Sequence, residues 1–152
     1  MKAIVLSDSH RDFSSILRAM EKESNIDYII HAGDVHRDVE DIQAMWQNIP
    51  CIYVVGNNDF SVWDVPTRRE FILEGKRFLL THGHLYGVKS SLARLHREAA
   101  DCQADICIFG HTHKAHLEEK NGIRFLNPGA AYRSYAVIEI HGATIDIQLK
   151  EN

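Results

Sequence analysis

The sequence contains little cysteine and no long apolar run. Its 152 residues include three cysteines, an odd number with no CxxC pair, which argues against both a disulfide framework and a cysteine zinc site and favours free thiols in a reducing compartment. No apolar run approaches the roughly 20 residues that cross a bilayer. The apolar start stops at Asp8 and His10, unlike a signal peptide, so we expect a cytoplasmic protein that binds no membrane.

An excess of positive charge is also absent. The formal net charge is -4 and the isoelectric point is near 6.2. Arg68-Arg69 and the scattered lysines form no long basic tract, which argues against binding to duplex nucleic acid. A small phosphate ester held at a local positive centre stays compatible with this charge. The composition, with 45% hydrophobic and 25% charged residues, is typical of a globular protein, and we predict one domain over residues 1–152.

The first half of the chain alternates short apolar segments with amphipathic ones. A helix is predicted near 14–22 with Asp12 as its N-cap, and another near 38–48. The side chains of the second helix expected to face inward are Val39, Ile42, Met45 and Trp46. The predicted strands are 2–7, 27–32 and 51–55. Nearly all-apolar strands between helices indicate βαβ units and a parallel sheet buried on both faces.

The second half of the chain has the sequence pattern of β-hairpins. Turn signals stand at Glu74-Gly75, Asn121-Gly122 and His141-Gly142 between apolar segments. A helix is predicted from about 88 to 100 and a buried strand at 105–109. The two halves together predict an α/β fold, a two-sheet mixed β-sandwich flanked by helices in α/β/β/α order.

Histidine, in contrast, is abundant, with ten residues, several of them at the ends of predicted strands. Five strand ends carry metal-ligand residue types, in the stretches DSH, GD, GNND, HGH and GHTH. The carboxyl ends of strands in an open α/β sheet form its ligand crevice. Residues i and i+2 of an extended segment point the same way, so Asp8 with His10 and His111 with His113 can converge. Carboxylate, imidazole and amide ligands suit Mn, Fe, Zn, Co or Ni.

Each of these pieces has a simpler explanation by itself. Asp8 can cap a turn, Gly33-Asp34 is a common turn dipeptide, and Asn57-Asn58 suits a left-handed turn. His31 and His84 can be core or surface imidazoles with satisfied hydrogen bonds. Five separate turns that all offer metal ligands are nevertheless a poor coincidence, and together they predict a site for two metals.

The ordered set DSH, GD, GNND, THGH and GHTH resembles the calcineurin-like metallophosphoesterases. The stretches THGHLYG and FLNPGA resemble the small YfcE-type bacterial phosphodiesterases within that superfamily. The resemblance implies that Asp8, His10 and His113 bind one metal, that Asn57, His82 and His111 bind the second, and that Asp34 bridges both. It also implies two divalent transition metals, with manganese preferred over Fe, Zn, Ni and Co. The implied reaction is hydrolysis of a small phosphodiester by a metal-bound hydroxide.

One residue departs from the family pattern. Many members carry histidine where this chain has Asn58, and that histidine is expected to protonate the leaving group. Asparagine cannot do so, which suggests leaving groups that need little protonation, or help from Asp59, His84 or water. Arg133 could bind a substrate phosphate through its guanidinium, or be an ordinary surface arginine.

The segment 60–66, FSVWDVP, allows three interpretations. Its Phe60, Val62 and Trp63 could stack on a base, lie in a dimer contact or pack into the core. Self-association is accordingly left open. Two other functions also stay open: a phosphomonoesterase, and a non-catalytic metal-binding scaffold like the retromer subunit that resembles this family.

Overall fold

The computed structural model describes residues 1–152, which form ten strands and three helices. The first five strands are β1 Lys2–Leu6, β2 Tyr28–His31, β3 Cys51–Tyr53, β4 Arg68–Leu73 and β5 Lys76–Thr81. The others are β6 Ile106–Ile108, β7 His116–Lys120, β8 Ile123–Asn127, β9 Ser134–His141 and β10 Thr144–Glu151. The helices are α1 Phe13–Glu21, α2 His36–Met45 and α3 Ala93–Asp101, and a short 3-10 turn covers His84–Tyr86.

The strands form two mixed sheets of five. The first has the order β10-β9-β1-β2-β3, in which β1, β2 and β3 run parallel and β9 pairs antiparallel with both β1 and β10. The second has the order β4-β5-β6-β8-β7, with parallel pairs β5–β6 and β6–β8 between two antiparallel edges. The predicted βαβ start and all three predicted hairpins are confirmed.

Alternating side chains in the strands build three apolar layers. In β1, Ala3 and Val5 belong to the core between the two sheets, together with Phe78 of the second sheet. Ile4 of the same strand faces the other way, into a layer shared with Ile16 of α1, as a side-chain period of two requires. Helix α3 covers the outer face of the second sheet. The predicted α/β/β/α sandwich is therefore confirmed.

The helix boundaries differ in part from those expected. Asp12 caps α1 as predicted, with its side chain accepting a hydrogen bond from the Ser15 amide. Helix α2 ends at Met45, and the prediction that Met45 faces inward is wrong, because its side chain is 54% exposed. Trp46, just past the helix end, packs there instead, with its ring 6.1 Å from that of Phe13. Helix α3 starts at Ala93 rather than near residue 88 because turns occupy the preceding residues.

The remaining features of the fold concern thiols and membranes. The three cysteines are free, and Cys107 is buried. Burial raises the pKa of Cys51 to about 12, so this thiol stays uncharged near neutral pH. None of the helices has the length and apolar character needed to span a bilayer.

Candidate metal centre

The loops after β1, β2, β5 and β6 meet at one edge of the sandwich. The Asp8 amide donates to the Gly33 carbonyl at 3.1 Å, which joins the loops after β1 and β2. The Gly110 amide donates to the His82 carbonyl at 3.0 Å, which joins those after β5 and β6. The two sheets are linked in turn by the His111 amide, which donates to Asp8 Oδ2 at 3.0 Å. The strand-end residues of both sheets thus surround one site.

One group of ligand atoms consists of Asp8, His10 and His113. His113 Nε2 lies 3.2 Å from Asp8 Oδ1 and 3.2 Å from His10 Nε2. Asp34 Oδ2 is 3.9 Å from His10 Nε2. These four residues are the ones that the resemblance assigns to the first metal.

A second group forms around His82, which is fully buried. Its Nε2 is 3.1 Å from Asn57 Oδ1 and 3.9 Å from both Asp8 Oδ1 and Asp34 Oδ1. The His111 ring lies beside it, with the two ring centroids 5.0 Å apart. Asp34 therefore turns one oxygen toward His10 and the other toward His82, which is the arrangement that a bridging carboxylate requires.

The contacts of Asp8 leave one of its oxygens free for a cation. Its Oδ2 accepts hydrogen bonds from Ser7 Oγ at 2.6 Å and from the His111 amide. Its Oδ1 is buried and has no hydrogen-bond partner, although buried polar atoms are nearly always paired. No lysine or arginine forms an ion pair with Asp8 or Asp34, and the only basic side chains within 4.0 Å of their oxygens are histidines. This orphaned oxygen among imidazole nitrogens fits a divalent metal.

The histidines are held in states that suit metal binding. His82 Nδ1 lies 2.9 Å from the Ala32 carbonyl oxygen. A carbonyl can only accept, so Nδ1 donates to it, and Nε2 is the ring nitrogen that faces the site. Burial lowers the pKa of His111 to about 4, with further lowering by the neighbouring His82. Its ring is therefore neutral at pH 7 and able to act as a ligand.

The stretch GNND holds the carboxylate of Asp34 in place through hydrogen bonds. Asn58 donates from its backbone amide to Asp34 Oδ1 at 2.9 Å and from its side chain to Oδ2 at 2.6 Å. Gly56 leaves the room for this, because a β-carbon at that position would collide with Asp34. Asp59 accepts hydrogen bonds from the Gly56 amide at 2.8 Å and from the His36 amide at 2.6 Å. Both oxygens of Asp59 are thus engaged in holding the loop.

The backbone at the site is left-handed rather than extended. The candidate ligands with positive φ are Asp8 (51°), His10 (47°), Asp34 (60°), His111 (69°) and His113 (59°). The two i, i+2 pairs do converge, but the reason given from the sequence, an extended backbone, is wrong. Left-handed conformations cost free energy in L-residues other than glycine and cluster at functional sites, so tertiary contacts must hold these turns.

The other predicted residues lie at different distances from this centre. His84 is beside it, with its ring 5.4 Å from that of His82 and its buried Nδ1 unpaired. His31 is a core imidazole, since its Nδ1 accepts from the Gly33 amide at 3.2 Å and its Nε2 lies 3.2 Å from Ser9 Oγ. Arg133 is exposed, with its guanidinium 5.6 Å from the Tyr132 ring centroid and without a contact to the cluster.

Several supporting residues were missed by the sequence reasoning. Ser7 orients Asp8, and Asn127 donates to the Gly110 carbonyl at 2.9 Å, which holds the GHTH loop. Buried Asp38 accepts from Ser9 Oγ at 2.7 Å and from the Arg11 amide at 2.9 Å. Ser7 stands next to Asp8, Asp38 follows Asp34 by four residues, and Asn127 lies within the stretch FLNPGA. Their positions in the sequence did not show which groups their side chains contact.

Comparison with known proteins identifies the family. Residues 1–150 match the calcineurin-like phosphoesterase superfamily domain. The chain belongs to this superfamily. It is 32% identical over 133 residues to the probable metallophosphoesterase YsnB of Bacillus subtilis, covering 86% of this chain and 75% of that protein. It is 30% identical over 149 residues to the phosphodiesterase MJ0936 of Methanocaldococcus jannaschii, covering 85% and 83%. Escherichia coli phosphodiesterase YfcE is 37% identical over 62 residues, 41% of this chain and 30% of that protein.

Solved structures share the fold of this calcineurin-like phosphoesterase. A conserved Streptococcus pneumoniae protein described as a predicted phosphoesterase superposes with a TM-score of 0.82 at 27% identity, over 99% of this chain and 88% of that one. A single mutant of Vps29 from Entamoeba histolytica superposes with a TM-score of 0.81 at 19% identity, over 100% and 99%. At that identity the second likeness shows the fold alone.

Proposed function

We propose that the chain is a dimetal-dependent phosphodiesterase that hydrolyses small phosphodiesters. The observation that carries the proposal is the buried, unpaired Asp8 Oδ1, which belongs to both groups of ligand atoms. Asp8, His10 and His113 would hold one metal, Asn57, His82 and His111 the other, and Asp34 both. Two such cations, with manganese as the first candidate, polarise phosphoryl oxygens and lower the pKa of coordinated water.

The protein's own groups give the site its shape. Asp34 is fixed by two hydrogen bonds from Asn58, so its two oxygens cannot rotate away from the two ligand groups. His82 is fixed by the Ala32 carbonyl. Positioning of this kind lowers a reaction barrier because no reorganisation is needed when charge develops on the phosphoryl group.

The proton donor to the leaving group is weak. Asn58 carries no acidic proton, and both oxygens of Asp59 accept backbone hydrogen bonds. His84 faces the site, but burial lowers the pKa of its ring, which disfavours the protonated form needed for a general acid. We therefore propose a preference for diesters whose leaving groups are acidic and depart without protonation.

The experiment is hydrolysis of bis(4-nitrophenyl) phosphate with added manganese, by wild type and by Asp34→Ala and His82→Ala. We expect both variants to lose about a thousandfold in kcat/KM, since metal-based stabilisation supplies several kcal/mol and each 1.4 kcal/mol is tenfold. His141→Ala is the matched control, because His141 is 70% exposed and pairs only with Glu139.

The other functions predict different results. A non-catalytic scaffold would bind manganese without hydrolysing any ester, and a phosphomonoesterase would prefer 4-nitrophenyl phosphate to the diester. A wild-type protein that binds no transition metal and hydrolyses neither ester would overturn the proposal.

A further inference from the structure

An open cleft of about 500 Å³ lies directly beside the candidate metal centre. Its lining includes Asn57 and His84 on the side of the metal centre and Phe60, Val62, Trp63 and Val65 on the other. Because Asn57 is a proposed metal ligand, a phosphoester held on the metals would extend one organic arm along this cleft.

Two aromatic side chains of the cleft are almost fully exposed. Phe60 is 81% exposed and Trp63 is 89% exposed. The interpretation that they pack into the core is therefore wrong. Large apolar side chains left in water at the mouth of a site are typical of binding surfaces, and aromatic faces stack well on flat rings.

The segment that carries these aromatic residues is tied down at both ends. The Val55 amide donates to the Pro66 carbonyl at 3.1 Å and closes the segment into a loop. Within it, the Val62 amide donates to the Asp59 carbonyl at 3.2 Å, and the Asp59 carboxylate holds Gly56 and His36. Such a loop can present Phe60 and Trp63 to a ligand at a low cost in ordering entropy.

The charged side chains around the cleft limit which part of a substrate it can bind. No lysine or arginine lines it, and its one carboxylate, Asp59, is engaged by backbone amides. A second phosphate or carboxylate would find no lysine or arginine here, whereas a neutral ring would find two aromatic side chains and three valines.

We infer that this cleft is the subsite for a neutral, flat aromatic arm of the substrate, an aryl group or a nucleobase, with Trp63 as its main contact. The inference rests on the proposed phosphodiesterase function and names the substrate class for the same site. Trp63 and Phe60 act on specificity and take no part in the chemistry.

The test is calorimetric binding of phenylphosphonate and methylphosphonate to the manganese-loaded full chain, which requires no turnover. Both ligands carry the same phosphonate head, so the ratio of their affinities reports the subsite. We expect phenylphosphonate to bind about tenfold tighter in wild type. Trp63→Ala should bring the ratio near one with methylphosphonate binding unchanged, and Trp63→Phe should restore most of the preference.

Ile72→Ala is the matched control, since Ile72 is an apolar side chain of β4 that is 61% exposed and lies outside the cleft. It should leave the ratio unchanged. Tighter binding of a thymidine phosphonate than of phenylphosphonate would identify a nucleobase as the natural arm, and the reverse an aryl group.

Two results would overturn the inference. If wild type binds both phosphonates with equal affinity, the cleft is not an aromatic subsite, and the proposed phosphodiesterase function is unaffected. If wild type binds neither phosphonate, the proposed phosphate site is contradicted as well. The second result would come from sedimentation velocity. If wild type is a dimer, and Trp63→Ala dissociates it without changing the ratio of the two phosphonate affinities, the aromatic residues form a self-association surface instead.

Discussion

Two buried polar clusters in this protein differ in how their charges are satisfied. Around Glu23, Lys150 Nζ lies at 2.7 Å, Tyr135 OH at 2.8 Å and Lys2 Nζ at 2.9 Å. Around Asp8 and Asp34, the only basic neighbours are histidines, and Asp8 Oδ1 has no hydrogen-bond partner. The carboxylate of the first cluster is fully paired with side chains of the protein, whereas the second cluster contains an oxygen that is left without a partner.

The difference separates a structural role from a functional one. Burial alone would raise the pKa of Glu23, but hydrogen bonds from Lys150, Lys2 and Tyr135 outweigh it and lower the pKa to about 2. Such pairing joins β1, β9 and β10 to the segment that follows α1. The metal centre instead keeps two carboxylates close together in left-handed turns, which costs stability that a bound cation can return.

The largest expected effect is stabilisation by metal. Manganese at a hundred to a thousand times its dissociation constant should raise the free energy of unfolding by about 3 to 4 kcal/mol. Urea denaturation with and without manganese measures this. Asp34→Ala should lose most of the increment and Glu23→Gln should keep it; equal increments in the two variants would erase the distinction between the clusters.

Glu23→Gln should lower the free energy of unfolding at pH 7 by about 2 kcal/mol, because two lysines lose their charged partner. Chemical denaturation measures the loss. Glu139→Gln is the control, since Glu139 pairs only with the exposed His141 and should cost about 0.5 kcal/mol or less. Similar losses in both variants would argue against a special role for Glu23.

The Glu23 contribution should also depend on pH in a defined window. Its pKa is about 2 in the fold against an ordinary 4.5, so its stabilisation is complete above the ordinary value and is lost as pH falls toward about 2. The difference in stability between wild type and Glu23→Gln should therefore shrink from pH 5 to pH 2. A difference that stays constant over this range would contradict the ion-pair explanation.

Ser7→Ala should weaken manganese binding about tenfold or more without touching a ligand. Ser7 Oγ donates to Asp8 Oδ2 and so directs the free Oδ1 toward the histidines. Calorimetric titration with manganese measures the affinity, and Ser14→Ala, whose hydroxyl contacts only the exposed side of the α1 cap, should bind like wild type. An unchanged affinity in Ser7→Ala would show that Asp8 needs no such support.

The smallest expected effect is an increase in stability. Asp8→Asn should raise the free energy of unfolding of the metal-free protein by about 1 kcal/mol, because it removes a buried charge that has no lysine or arginine partner. Asp38→Asn is the matched comparison, since Asp38 is equally buried but accepts from Ser9 and Arg11, and it should destabilise. Thermal denaturation in the presence of a chelator would decide; a loss in Asp8→Asn would contradict the picture of an incomplete cluster.

Much of the fold followed from local patterns. The alternation of apolar strands with amphipathic helices predicted the parallel β1–β2–β3 core, and the dipeptides such as Asn121-Gly122 predicted the hairpins, because turn geometry depends on neighbouring residues. Met45 was misplaced because an apolar residue in the last turn of a helix can face water when the following Trp46 fills the space. Periodicity alone does not show where a helix ends.

The candidate site divides in the same way. The ligand types and their order at the strand ends could be read from the sequence, and parallel topology explains why they meet. The support of Asp34 by Asn58 could not, because this contact joins residues that are far apart in the chain and depends on turns fixed by other segments. Ser7 stands next to Asp8 in the sequence, but which oxygen of Asp8 its hydroxyl contacts could not be read there. The exposure of Phe60 and Trp63 was equally hidden, since an aromatic residue in a loop has the same sequence signature whether it is buried or in water.

The sequence by itself determined the superfamily, the layer order and which residues could bind metal, because these depend on residue type and spacing. Only the tertiary structure decided which carboxylate oxygen is left unpaired, which oxygens of Asp34 face which histidines, and which aromatic side chains stay in solvent. Those properties arise where the loops of two sheets meet, and no local stretch of chain contains them.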